Sequence, residues 1–268
     1  AADTDILYLP ALYTAETYCA RRLLSHAHKT FVAPAFLPKK LRLAAQNSNL
    51  EYSPQQELAL QQAATSGLLL ITGGPGTGKT TILNGILSLY DQMGLRCALC
   101  APTGRAAKRL TEVTGWDAST IHRLLEAGID PHTGKLFFAK DEADPLKADA
   151  VIVDEMSMVD VTLLDSLLQA VPQNARLIMV GDPDQLPPVG PGFPFSDMLR
   201  SNMLPVVKLT EIFRQAQQSL IVMNAHAVNH GELPELGVKD RDFFFMKRRT
   251  SEDVVRTIQE LCSQRLPK

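Results

Sequence analysis

The chain has 268 residues, enough for one large domain or one and a part. It is 45% hydrophobic and 21% charged with a net charge of −2, the profile of a soluble globular protein without a global basic field, so any nucleic-acid binding must rest on local patches. No apolar stretch approaches bilayer-spanning length and the N-terminus lacks a basic-then-apolar signal pattern, so no membrane association and a cytoplasmic location are expected.

Residues 1–50 read as an appended segment: a helix near 14–26, then a less regular stretch with Pro34, Pro38 and Lys39-Lys40. Strand–helix alternation follows. Strands are predicted at 68–72, 97–101, 150–154, 176–181, 205–209 and 243–246, and helices at 79–93, 104–113, 158–171, 217–230 and 251–264. Short apolar strands alternating with helices predict an α/β fold, a parallel sheet with helices on both faces. Ligands of such sheets bind at the carboxyl ends of the strands.

The first strand runs into Gly73-Gly-Pro-Gly-Thr-Gly-Lys-Thr80, a phosphate-cradling P-loop. Its glycines allow successive N–H groups to point at one anion, and the next helix adds its positive end. Gly73, Gly74, Pro75, Gly76, Thr77, Gly78, Lys79, Thr80 and Thr81 form the candidate ATP-binding loop. Lys79 supplies a mobile cation, and Thr80 can ligate Mg²⁺. Cys97 and Cys100 form a Cys-x-x-Cys, but on a strand residues three apart face opposite ways, so core packing is expected rather than a metal. His226 and His230 sit four apart on a predicted helix with no obvious third ligand, so a solvated face is expected.

Val151-Ile-Val-Asp-Glu155 ends an apolar strand in two carboxylates. Asp154 is the candidate metal ligand and Glu155 the candidate base for water. Farther on, Gly181-Asp-Pro-Asp-Gln-Leu-Pro-Pro188 follows another strand. Gln185 there suits a sensor of the terminal phosphate, and a proline-stiffened surface turn is the alternative. Residues 127–148 contain turn chemistry at Pro131 and Gly134 between apolar flanks, which predicts a β-hairpin insertion.

Together these segments resemble the RecD-like DNA helicases of superfamily 1, the family of the exodeoxyribonuclease V alpha subunit. The resemblance runs from Ser53-Pro-Gln-Gln56 through Ala101-Pro-Thr-Gly-Arg-Ala-Ala-Lys-Arg109, Ser119-Thr-Ile-His-Arg-Leu-Leu125 and Leu209-Thr-Glu-Ile-Phe-Arg-Gln215 to Asn224–Gly231. It implies a RecA-like ATPase domain over 51–240, with Gln56 reading the adenine edge and Arg214 reaching the γ-phosphate. Ser53 and Gln56 also fit a helix capping box. The resemblance further implies single-stranded DNA contacts at Thr103, Gly104, Arg105, Lys108, Arg109, Thr120 and His122. It implies a duplex-splitting role for the hairpin, helicase–nuclease subunits as partners, and 5′ to 3′ travel. Two later motifs of the family, one supplying an arginine to the ATP site, are not found before Lys268. Residues 241–268 therefore read as the opening of a second RecA-like domain, and the chain as a fragment that binds nucleotide and Mg²⁺ but turns over poorly. The rival readings are a P-loop ATPase that remodels protein and a non-enzymatic DNA-binding module.

Overall fold

Three strands are buried at every position, β1 (Leu68–Gly73), β6 (Ala150–Val153) and β7 (Arg176–Gly181), as continuous apolar runs covered on both faces must be. They form the middle of a six-stranded sheet in a computed structural model that describes residues 7–34, 52–238 and 241–265, without the side chains of 214, 215 and 265. The sheet also holds β2 (Cys97–Ala101), β3 (Ala118–Thr120) and β8 (Val206–Leu209), in the order β3-β2-β6-β7-β1-β8. Every pairing in it is parallel. This is the α/β architecture expected, and the crossover helices divide between its two faces.

Side-chain alternation along the strands explains that division. Leu68, Leu70, Val151, Val153, Leu177 and Met179 join one core cluster, which takes α1 (Pro10–Ala27), α6 (Val161–Ala170) and α7 (Pro194–Ser201) through Leu23, Leu164 and Phe195. Leu69, Ile71, Ile152, Ile178 and Val180 join the other, which takes α2 (Pro54–Thr65), α3 (Lys79–Gln92) and α4 (Gly104–Thr114) through Leu60, Ile86 and Leu110. Cys100 lies in the first cluster and Cys97 packs against the second, so the Cys-x-x-Cys does split across the sheet. Both are free thiols, and burial pushes both upward in pKa.

Several expected boundaries move for local reasons. The predicted helix 158–171 begins only at Val161, because Asp160 caps it by accepting from the Leu163 N–H at 2.8 Å; a 3₁₀ turn, Met156–Met158, precedes it. The predicted helix 217–230 is split into α8 (Arg214–Gln217) and α9 (Leu220–Asn229), since Ser219 caps the second by accepting from the Val222 N–H. No strand forms at 243–246: Phe244, Phe245 and Met246 are exposed, and among the described residues that unit contains no strand to pair with. Helix α10 (Ser251–Glu260) follows and runs on as a π turn, Leu261–Arg265. The expected hairpin is present as β4 (Ala127–Ile129) and β5 (Leu136–Phe138). Short α5 (Ile121–Leu124), β3 and α7 had no periodic signal in the sequence long enough to read.

The chain forms two compact units, 1–213 and 214–268, where composition suggested boundaries near 50 and 240. The described N-terminal residues are tied into the first unit rather than appended to it. Buried Arg22 donates to the carbonyls of Leu168 and Val171 at the C-terminal end of α6, at 3.2 and 2.7 Å. The Phe31 N–H donates to the Thr65 carbonyl at 2.7 Å, and the Arg176 guanidinium lies 3.8 Å from the centre of the Phe31 ring.

One consequence is an acid sensitivity. His26 on α1 is fully buried, and burial, with help from Lys29 and Arg22, pushes its pKa down to about 4 from 6.5. The fold therefore holds it neutral, and the stability this gives is lost as pH falls from 6.5 toward 4. The loss should approach roughly 3 kcal/mol at ~1.4 kcal/mol per pKa unit. Asp154 is shifted in the opposite sense, so the His26 share is read as the difference between wild type and His26→Leu in urea melts at pH 7 and pH 5. A constant difference across those pH values would remove this account.

Candidate nucleotide site and strand-contacting face

The P-loop joins β1 to α3. Gly76 and Gly78 adopt φ of +74° and +83°, conformations that strain any residue with a Cβ. Gly78 is the N-cap of α3 and offers no side-chain acceptor, so the first-turn N–H groups remain open to an anion. Gly73 has no room for a side chain, because a Cβ would lie 2.5 Å from Thr77 Oγ1 and 2.8 Å from the Leu209 carbonyl. Thr77 Oγ1 donates to the Gly74 carbonyl at 2.9 Å and fixes the turn. Lys79 folds back over it, donating to the carbonyls of Gly73 and Gly74 at 2.6 and 3.0 Å. Pro75 and Thr80 are exposed, while Gly74 and Thr81 are half-buried beside them.

Asp154 and Glu155 leave the end of β6, which is separated from β1 only by β7. The carboxyl of Asp154 is raised to about 6, first by burial, while the Glu155 N–H, Lys79 and Arg109 pull it down and the Glu155 charge pushes it up. Lys79 acts on the charge of that carboxyl, and the P-loop and the acidic pair both leave carboxyl ends of strands parted only by β7. Glu155 sits in the left-handed region at φ +56°, a strain of the kind stored at functional sites. Its Oε2 is buried with no protein partner, an acceptor left open for a ligand or water.

Asp182, after β7, was not singled out in the sequence. It is 2% exposed, and its Oδ2 lies 3.8 Å from Lys79 Nζ. A third carboxylate following a third buried strand was the available signal. Gln185 is exposed on the same loop; its N–H donates to the Asp182 carbonyl at 3.1 Å.

Gln56 serves two places at once. Its Oε1 accepts from the Ser53 N–H at 3.1 Å, closing the capping box of α2, and its Nε2 donates to the Gly78 carbonyl at 3.4 Å. It is wholly buried against the P-loop. The side chain of Arg214 lies outside the described residues, and Arg214 opens the second unit.

The expected strand-contacting residues gather at the β2–β3 end of the sheet. Thr103 caps α4 by accepting from the Ala106 N–H at 3.2 Å, and Thr120 caps α5 by accepting from the Arg123 N–H at 3.1 Å. Ala101 and Thr120 are register partners, so the two helix N-termini open side by side at the same edge. Gly104, Arg105, Lys108 and Arg109 are exposed on α4, with Lys108 loosely paired to Glu112 at 3.9 Å. His122 packs its ring 5.6 Å from that of Phe138 in the hairpin. The hairpin tip is an Asx turn: Asp130 Oδ1 accepts from the N–H groups of His132 and Thr133, and Ile129, Leu136 and Phe137 stand exposed around it.

An oxygen-seeking cation fits the donors present. The Thr80 hydroxyl, the Asp154 carboxylate and the unpartnered Glu155 oxygen are hard ligands, and a magnesium site completed by phosphate needs only one or two carboxylates. Among the described residues, no cluster of three or more His, Cys, Asp or Glu fit to hold a metal by itself occurs. Nor, among them, is any helix long and apolar enough to cross a membrane.

The family model described as an AAA domain matches residues 56–191. An ATP-dependent RecD2 DNA helicase of Deinococcus radiodurans is 44% identical over 203 residues, 76% of this chain and 26% of that protein. The RecBCD enzyme subunit RecD of Mycolicibacterium smegmatis is 41% identical over 168 residues, 54% of this chain and 30% of that protein. The chain thus spans about a quarter to a third of the length of these relatives. A solved structure of Pif1 helicases on forked double-stranded DNA aligns with a TM-score of 0.50 at 23% identity, covering 80% of this chain and 59% of that one, and speaks for the fold alone. With its P-loop, its paired carboxylates and these matches, the chain belongs to the AAA-domain family and, within it, to the RecD-like superfamily 1 DNA helicases.

Proposed function

We propose that this chain is the ATP-hydrolysing motor domain of a helicase that moves on single-stranded DNA in recombination or repair. The observation that carries the reading is Lys79, 3.8 Å from Asp182 and acting on the charge of Asp154, on a sheet whose same carboxyl edge carries two helix N-termini capped by Thr103 and Thr120. In this reading ATP lies on the P-loop with its phosphates on the open N–H groups of α3. Lys79 leaves its carbonyl partners and neutralises the outer phosphates. Glu155 takes the proton of the attacking water onto its carboxylate, whose Oε2 is buried without a protein partner. Mg²⁺, held by Thr80 and Asp154, would draw charge from the phosphate oxygens. Gln56 reads the adenine edge, and Gln185 reports the terminal phosphate to the DNA face.

The phosphates of a single strand sit against the α4 and α5 N-termini and the Arg105, Lys108 and Arg109 charges. Travel runs 5′ to 3′, as in the resembling family, and other helicase–nuclease subunits are candidate partners because the Mycolicibacterium relative is named as one. The exposed apolar residues of the β4–β5 hairpin suit a pin that parts the duplex.

Single-stranded DNA should stimulate ATP hydrolysis by the full-length protein. Replacing Arg105, Lys108 and Arg109 together by alanine should remove the stimulation and reduce the salt slope of binding by about 2, at about 0.7 per phosphate contact. A protein remodeller would show no stimulation by DNA, and that result would overturn the reading. Shortening 130–135 should leave the stimulated ATPase intact while abolishing unwinding; unimpaired unwinding would remove the pin.

A further inference from the structure

A cleft of about 640 Å³ opens on the other side of the sheet's carboxyl edge, between α7, the ends of β1 and β8, and the loop that follows β7. That volume is typical of a ligand site. None of its lining residues belongs to the P-loop 73–81 or to the acidic pair. Thr72 and Lys208 are register partners in its wall, and Thr72 alternates with the side chains of Leu69 and Ile71, so it faces away from the P-loop helix packed on them. None of the roles proposed above uses this cleft.

Its lining combines three chemistries. Phe193 is 53% exposed, whereas Phe195, two residues on, is 2% exposed in the core. A lone exposed ring is ordinary; this one borders a cleft that also holds cations and an amide. Lys208 has no ion pair among the described residues. Arg200 is a weaker ligand, since its guanidinium is held by Asp197 at 2.6 Å. Asn202 and the hydroxyls of Ser196 and Thr72 supply hydrogen bonds, and Asp184 is the acid on the wall. An aromatic face, a free cation and neutral polar groups around one cavity match a nucleotide unit, with base, phosphate and sugar each provided for. Asp184 would keep the phosphate toward Lys208 and leave its own side to donors on a base or sugar.

We propose that this cleft seats one nucleotide of the single strand, its base stacked on Phe193 and its phosphate held by Lys208. The proposal rests on the single-strand reading and extends the track from the α4–α5 edge to the β1–β8 edge of the same sheet. It gives Phe193 and Lys208 separable duties.

The test uses the full-length protein and a fluorescently labelled oligothymidylate, with anisotropy read over a range of salt. Lys208→Gln should lower the salt slope by about 0.7, the share of one single-strand phosphate. Phe193→Ala should weaken binding about five-fold or more, the value of one stacked base, with the slope unchanged. Phe193→Leu keeps an apolar side chain if alanine disturbs the fold, and should lose most of the same affinity. On an oligonucleotide with abasic sites the Phe193 effect should vanish while the Lys208 effect stays. Nucleotide binding should match wild type in every variant. Wild-type slope and affinity in both Lys208→Gln and Phe193→Leu would overturn the subsite while leaving the motor reading standing. Failure of the wild-type protein to bind the oligonucleotide would overturn both.

Discussion

Glu155→Gln in the full-length protein should retain nucleotide and single-strand binding while ATP turnover falls by about 10²–10⁴. The amide is nearly isosteric with the carboxylate, so it can occupy the strained position at φ +56°. It cannot accept the water proton. The site otherwise keeps Lys79, the P-loop N–H groups and Asp154, which govern binding. Single-turnover hydrolysis and nucleotide titration on the same preparation separate the two effects. Turnover near wild type would mean that Glu155 is not the base, and its buried, unpartnered Oε2 would need another role.

The second large effect is expected at Lys79, and it has a structural side. Lys79→Ala should abolish detectable ATP binding, because the mobile cation of the loop is gone. It also leaves Asp182, 2% exposed, without the ammonium 3.8 Å away. An uncompensated buried charge destabilises by up to about 3–5 kcal/mol, and the long contact and the Asp184 N–H that Asp182 also accepts from should keep the loss nearer the lower end or below it. Lys79→Ala combined with Asp182→Asn should therefore recover stability without recovering binding. Urea melts and nucleotide titration of the single and double variants check this. If the single variant is as stable as wild type, Asp182 does not depend on the lysine in the apo protein. If the double variant binds ATP, the P-loop assignment fails.

The contrast between Asp154 and Asp182 explains part of what the sequence hid. Asp154 sits in a run of apolar residues ended by two acids, a local pattern that announces itself. Asp182 lies between Gly181 and Pro183, where composition speaks of a turn. Only the placement of β7 between β6 and β1 turns it toward Lys79. Gln56 shows the reverse case, because the capping box and the P-loop contact were competing readings of one side chain. The structure makes both bonds at once, with Oε1 and Nε2 used separately.

Elements with long periodic or continuous apolar runs were legible to within a residue or two, as with β2, β7 and α3. Those runs carry their own burial pattern, and a strand covered on two faces needs no other cue. Short elements were not: β3, α5 and α7 are held by neighbours rather than by propensity. The apolar segment 243–246 failed as a strand for the same reason, since pairing requires a partner that local residues do not supply.

The residue order alone thus determined the phosphate loop, the acidic pair and the parallel α/β plan, because each is written in neighbours along the chain. Tertiary structure alone decided the burial of Arg22 against the end of α6, the contact of Arg176 with Phe31, the ion pair of Lys79 with Asp182, and the cleft around Phe193 and Lys208. Those features join residues many positions apart, and only the packing of the sheet and its helices brings them within reach of one another.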